Sequence, residues 1–282
     1  MAEFKVSAAS ADEVRLIAGW AAAEGWNPGD GDETVFHPVD PGGFLVGRLD
    51  GQPVSAIAAI RYGDRHGFLG LHLTVPEFRG NGYGRRTWQA GVARLSGRSI
   101  GHDGAVARLE TYRGSGLQEA WRTTRYQGEP SGAERSAGIE VTDARGAGFD
   151  ELAAYDRRFF PAGRDTFLAL WIAAPGRRAV VARRAGVIVG FAARRPAGDA
   201  DRIGPLFADT PEIAETLLAA LREMPGGEVP VILDVPAPHP AAHRLAERAG
   251  LKPVWDTVRV YSGGAPEIDR TGIFGITTLE LG

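Results

Sequence analysis

Seven consecutive residues, Arg79-Gly80-Asn81-Gly82-Tyr83-Gly84-Arg85, hold the most specific chemistry in the chain. Three glycines at alternate positions leave the backbone bare, so amide N–H groups can approach a ligand closely. A helical pattern starts near Arg85, and the positive end of a helix dipole favours an anion. Arg79, Arg85 and Arg86 add charge-assisted donors that suit phosphate. In physical terms this is a pyrophosphate cradle. A Walker loop would need Gly-Lys-Ser/Thr, and none follows. A G-x-G-x-x-G fingerprint begun at Gly82 would need glycine where Thr87 stands. What fits is Arg79-x-x-Gly82-x-Gly84, entered from an apolar strand and Pro76-Glu77.

The elements that must hold this loop recur. Phe44–Arg61 and Ala179–Arg195 both read as an apolar strand, a tight turn at Gly51 or Gly186, and a second apolar strand. The two glycines lie 135 residues apart, and the same shift pairs Val54 with Val189, Pro76 with Pro211, Glu77 with Glu212, Tyr126 with Tyr261 and Gly128 with Gly263. Each half predicts an opening strand (Phe4–Ser7, Ile139–Thr142) and then a helix, Glu13–Glu24 capped by Asp12 in the first and Gly148–Phe160 in the second. The second half adds a helical stretch at Phe167–Ala174. Strands at Phe68–Val75 and Ile203–Ala208 lead into helices at Arg85–Leu95 and Pro211–Met224. Short strands at Ala105–Glu110 and Val229–Val235 follow, and Arg122–Gln127 or Val254–Tyr261 closes each half. Gly128–Gly138 reads as a linker, and Gly264–Gly282 as a tail packed on the body. The domains are thus 1–130 and 139–282.

Strand, Arg-x-x-Gly-x-Gly loop and helix together resemble the coenzyme A signature of the GNAT superfamily, and roughly residues 3–128 match that family in element order. The resemblance implies two tandem α/β (α+β) units, each a mixed, mostly antiparallel sheet flanked by helices. It implies an N-acetyltransferase with acetyl-CoA as cosubstrate, held by Leu73, Thr74, Val75, Arg79, Gly80, Asn81, Gly82, Tyr83, Gly84 and Arg85. Tyr112, four residues before Gly116 in Glu110–Leu117, is similar to the tyrosine that faces the thioester sulfur in the family; Leu117 stands where phenylalanine is common. It is either the acid for the leaving thiolate or a packing tyrosine. An amine of pKa ~10 also needs a base. His72 shares a strand face with Thr74 and suits that role unless it is buried and bonded within the sheet; Glu77 and Glu110 are the carboxylate alternatives. Under the 135-residue shift Arg79, Gly80, Gly82 and Gly84 become Ala214, Glu215, Leu217 and Ala219. The second half therefore has no cradle and is expected to bind no coenzyme A.

In the family the loop after the first helix walls the acceptor site. Here it carries Trp26, Asn27, Asp30, Asp32, Glu33 and Phe36, which suits either a cationic amine or a solvated acidic loop anchored by one tryptophan. Phe159–Arg164 could close the pocket from the second half. The expected partner is a small-molecule amine, with neither nucleic acid nor membrane, in a monomer or homodimer. The net charge of −3 argues against a nucleic-acid footprint. No apolar run approaches the ~18 residues of a membrane span, so a cytoplasmic chain is expected. The absence of cysteine excludes thiolate catalysis and cysteine-based metal sites, and no metal is expected. Gly97–Gly101 matches G-x-S-x-G without the strand–turn–helix context. His239, ahead of Pro240, reads as a helix cap rather than a ligand. The alternatives are a non-catalytic acyl-CoA-binding sensor or scaffold, and a tandem transferase of fatty-acyl or aminoacyl groups.

Overall fold

The computed structural model describes residues 3–226 and 229–282. The first half runs β1 (Phe4–Ala8), α1 (Ala11–Ala23), α2 (Asp32–Val39), β2 (Phe44–Leu49), β3 (Gln52–Tyr62), β4 (His66–Thr74), α3 (Tyr83–Arg94), β5 (Ser99–Ala105), α4 (Leu109–Gly114) and β6 (Leu117–Gly128). The second half repeats this order as β7 (Glu140–Asp143), α5 (Phe149–Asp156), α6 (Asp165–Ala173), β8 (Arg178–Arg184), β9 (Val187–Ala197), β10 (Ala200–Ala208), α7 (Pro211–Glu223), β11 (Val231–Pro236), α8 (Pro240–Arg248) and β12 (Lys252–Ser262), then adds β13 (Ile273–Gly275). The architecture is α/β, with a mostly antiparallel open sheet flanked by helices. No helix among the described residues is long and apolar enough to cross a membrane.

Two sheets were expected, one in each half. The strands instead form one, in the order β1-β2-β3-β4-β5-β12-β6-β11-β10-β9-β8-β7, with β13 on β10. The halves exchange their closing strands: β12 pairs with β5 of the first half, and β6 pairs with β11 of the second. β6 and β12 meet antiparallel at the centre, with Thr123 opposite Thr257. Trp121-x-Thr123-x-Arg125 on β6 matches Trp255-x-Thr257-x-Arg259 on β12 at an offset of 134, not 135. Side chains alternate along a strand, so the Tyr126–Tyr261 pairing read from the sequence joins opposite faces. Tyr126 bonds His243 of α8, whereas Tyr261 receives a bond from Arg259 on the other face.

Helices α1, α2, α5 and α6 pack on one face in a core that both halves share, here called the inner face. On the outer face, α7 and α8 build a core over the second half, and α3 and α4 build another over the first. Three local expectations change. The cap of α1 is Ser10, which forms a reciprocal capping box with Glu13, and not Asp12. The acidic run after Gly31 is helical as α2, the counterpart of α6, despite Pro38. The strand set at Ala105–Glu110 lies earlier as β5, which hands those residues to a short turn and α4. His239 does cap α8, its ring accepting from the Ala242 amide, and the tail does pack on the body.

Candidate active site

β4 and β5 run parallel and pair from His66–Ser99 to Leu69–His102. Beyond that rung the pairing stops while both strands continue, and the gap opens toward the glycine loop. Leu71, the second residue past the last rung, holds φ +47 in a buried position, with the β3–β4 register slipping between Ala56 and Ala58. Such a conformation costs a non-glycine residue on the order of 1–3 kcal/mol. The strain sits where the strands part.

At the wide end of the gap the loop carries Gly80 and Gly82 at φ +82 and +81, a region other L-residues avoid. Gly84 is needed for a different reason: a Cβ there would run into the Thr74 hydroxyl. α3 starts at Tyr83 with Gly82 as its cap, and no side chain accepts from its first turn. Its first internal bond is Arg86 N–H to Gly82 O, so the N–H groups of Tyr83, Gly84 and Arg85 have no intrahelical partner. Asn81 props the loop by donating to the Phe78 and Arg79 carbonyls. Tyr83 stacks on Phe4, and Arg85 is exposed beside the open amides. Arg79 donates to the Thr74 carbonyl at 2.9 Å and pairs with Glu24, tying the loop to the end of α1. Val75 N–H goes to Val54 O. By the alternation of an antiparallel ladder, the backbone of Leu73 then also faces β3 and that of Thr74 faces the gap. A diphosphate fits this end of the gap, because three amides, a helix dipole and bare glycines converge there.

The outer side of the gap is lined by four rings. His72 lies 5.1 Å from Trp88, Trp88 5.2 Å from His102, and His102 4.8 Å from Tyr112. Tyr112 belongs to α4 rather than to a strand end; its hydroxyl abuts Gly104, and burial pushes its pKa up, which keeps it a proton donor. His72 lies 2.9 Å from the Gly84 carbonyl through Nε2. A carbonyl only accepts, so Nε2 carries the hydrogen and Nδ1 the lone pair. Burial lowers the His72 pKa, with the Gly84 bond opposing. His102 donates from Nδ1 to the Leu69 carbonyl, and burial pushes its pKa down to about 4. Trp88 and His102 had no local sequence signal. Glu77 and Glu110 are both exposed, and Glu110 pairs with Arg113 at 2.6 Å.

On the inner side, the Glu280 carbonyl lies where a Cβ of Gly70 would be. Asp103, one residue past the last rung, is paired with Arg259 of the exchanged strand. The acidic loop, read as either a cationic-amine wall or a solvated loop, is neither at Asp32. Asp32 is buried between Arg177 (2.6 Å) and Arg195 (3.1 Å), so its charge is neutralised from the second half. Trp26 packs against the inner core, Asn27 adopts φ +48, and Glu33 lies 3.9 Å from Arg15. Phe160 packs edge-on to Tyr62, so Phe159–Arg164 does reach the first half.

Comparison with known proteins places this geometry. A model described as "Acetyltransferase (GNAT) family" matches residues 11–117, and one described as "Acetyltransferase (GNAT) domain" matches residues 152–275. A holothin acyltransferase from Pseudoalteromonas sp. (strain SANK 73390) is 29% identical over 275 residues, covering 97% of this chain and 93% of that protein. Among solved structures, a putative acetyltransferase from Pyrococcus horikoshii aligns with TM-score 0.83 at 20% identity, over 99% of this chain and 96% of that one. A tandem GNAT protein from the clavulanic acid biosynthesis pathway aligns with TM-score 0.65 at 14% identity, over 94% and 99%. The last two likenesses concern the fold.

Proposed function

Since the chain belongs to the GNAT family of acyltransferases, arranged in tandem, we propose that its first half passes the acetyl group of acetyl-CoA to a primary amine of a small molecule. The observation that carries this reading is the gap between β4 and β5 ending on the uncapped N-terminus of α3. Gly80, Gly82, Gly84 and the first-turn amides hold the diphosphate, with Arg85 beside them and Asn81 and Arg79 shaping the loop. The backbone of Thr74 borders the arm that lies in the gap. An acetyl donor is favoured over longer chains. The closed end is bounded by Trp88, His102 and Tyr112 on the outer side and by the tail at Gly70 on the inner side, walls that favour a short acyl group.

Tyr112 gives its proton to the departing thiolate. Its buried hydroxyl stays protonated at neutral pH and lies beside β5 at the gap. The Nδ1 lone pair of His72 is the candidate acceptor for the amine proton, because the bond to Gly84 fixes that tautomer. As His72 lines the outer side of the gap and the acceptor is assigned to the inner, the proton reaches it through water in the gap. The acceptor's site is assigned to the inner face near Trp26 and Asn27. With Asp32 neutralised, a polyamine gains no charge partner from it, so a small, weakly charged amine is the better acceptor. The relative named for holothin marks a place to begin an acceptor panel. We assign the work to the cytoplasm.

Thiol release from acetyl-CoA across a panel of amines tests the reading, with calorimetry alongside for one acetyl-CoA per chain. Turnover with an amine and a stoichiometry of one support it. Binding without thiol release from any amine would favour an acyl-CoA sensor.

A further inference from the structure

The outer side of the gap is closed by α3 and the ring cluster, so an amine must arrive from the inner face. There the segment from Glu24 to Asp32 crosses the wide end of the gap. It is held on one side by Glu24 to Arg79 of the glycine loop, and on the other by Arg125 of β6 donating to the Trp26 carbonyl at 2.9 Å. The long-range polar contacts that reach residues 27–32 from outside the segment come from the second half. Arg177 and Arg195 grip Asp32, Asp30 N–H donates to Pro196 O, the Asp30 carboxylate accepts from Gly198 N–H, and Arg202 donates to the Asn27 carbonyl at 3.1 Å.

Arg202 does more than hold one carbonyl. Its guanidinium is 2% exposed in side chain and also bonds Glu280 at 2.6 Å and Asp234 at 2.9 Å. Glu280 belongs to the tail that rests on Gly70, beside the closed end of the gap. Asp234 belongs to β11 and is forked by Arg125, which reaches Trp26. One cation therefore joins the segment over the wide end, the tail at the closed end, and the strand beside the exchanged pair. Asp234 and Glu280 hold it charged against the cost of burial.

We propose that Arg202 is a positioning residue for the acceptor. Acting through Asn27 and Glu280, it fixes the two walls between which the amine meets the thioester, and this is the catalytic contribution of the half that lacks a cradle. The proposal rests on the transfer reading above, and its test separates the two. In the full chain, Arg202→Lys keeps the charge but loses the planar fork that spans three partners. Placement errors of about 1 Å can cost ~10²-fold in rate. The expected result is a roughly 10–100-fold fall in kcat/KM for the amine, carried mainly by KM, with acetyl-CoA affinity within about twofold of wild type. Amide hydrogen exchange across residues 25–33 should quicken in the same variant. Asp30→Ala, an exposed change that cannot empty the core, should move KM and exchange the same way by less, and it decides the matter if Arg202→Lys does not fold. Unchanged amine KM with unchanged loop exchange, or an equal loss of acetyl-CoA affinity, overturns the proposal. If the wild type releases no thiol with any amine, the transfer reading falls, while the exchange arms still report whether Arg202 holds the loop.

Discussion

The gap between β4 and β5 and its counterpart between β10 and β11 are framed by equivalent strands and have opposite fates. In the second half the parallel rungs run from Asp201–Val231 to Ile203–Leu233 and then stop, as they do in the first. There, however, β13 of the tail pairs with β10 at Leu206 and Phe207, and Ile276 N–H bonds Asp234 O of β11. The protein's own chain lies where a ligand's arm would lie. The helix ends differ in the same sense. α3 begins on a glycine with three open amides, whereas α7 begins with Thr210 accepting from Ile213 N–H and with Pro211, which has no donor to offer. The second half fills its gap with its own tail, whereas in the first the proposed occupant is the coenzyme A arm.

The largest effect should come from spoiling the open helix end. Gly82→Asp puts a side chain at φ +81 and a carboxylate among the amides. Calorimetry should show acetyl-CoA binding lost from a chain that still folds; retained affinity would remove the cradle from the argument. A crystal soaked in excess acetyl-CoA tests the same contrast from the other side, since density beside Thr210–Leu217 would mean that the second gap also binds.

Tyr112→Phe should lower turnover ~10²–10⁴-fold with little change in acetyl-CoA affinity. Wild-type turnover, measured where chemistry limits the rate, would leave Tyr112 a packing residue.

His102 separates the halves by pH, because Leu233 stands at the matching place on β11. Its folded pKa of about 4 lies below the unfolded ~6.5, so the unfolded chain binds the proton first. The stability it contributes is full above ~6.5 and is lost as pH falls toward 4, on the order of 3 kcal/mol in all. Melting temperatures across that window should fall for wild type, and the slope should flatten in His102→Gln.

The smallest effect is predicted for Thr210→Ala, which opens the second helix end. It should cost about 1 kcal/mol in denaturant midpoint and create no coenzyme A site, because β13 still occupies the gap. A second equivalent of acetyl-CoA in calorimetry would show that the cap, and not the tail, keeps that half empty.

The shape of the glycine loop was legible because its requirements are local: positive φ at Gly80 and Gly82, close approach at Gly84, and a helix immediately after. The repeat was legible from the strand–turn–strand units for the same reason. What escaped was non-local. The strand exchange leaves no mark on either strand alone, although the repeated Trp-x-Thr-x-Arg, set at 134 instead of 135, would have aligned β6 with β12 correctly. α2 was hidden by its acidic start and Pro38, whose helix is stabilised by partners far away in sequence, Arg177 and Arg195 on Asp32. His102 sits in an unpatterned stretch, and only the end of β4–β5 pairing gives it meaning.

The exchange of closing strands also sets the order in which the protein can be made. As the chain leaves the ribosome, β5 is finished at Ala105, but its neighbour in the sheet, β12, is not complete until Ser262. Over that interval β5 presents an uncovered edge, and the contact that covers it closes a loop of more than a hundred residues, a slow step for a sheet. The nascent first half, cradle included, must therefore wait on the second before its active-site strand is secured. Another copy at the same stage offers the same edge, which makes high synthesis rates the condition under which this fold is most exposed to mispairing.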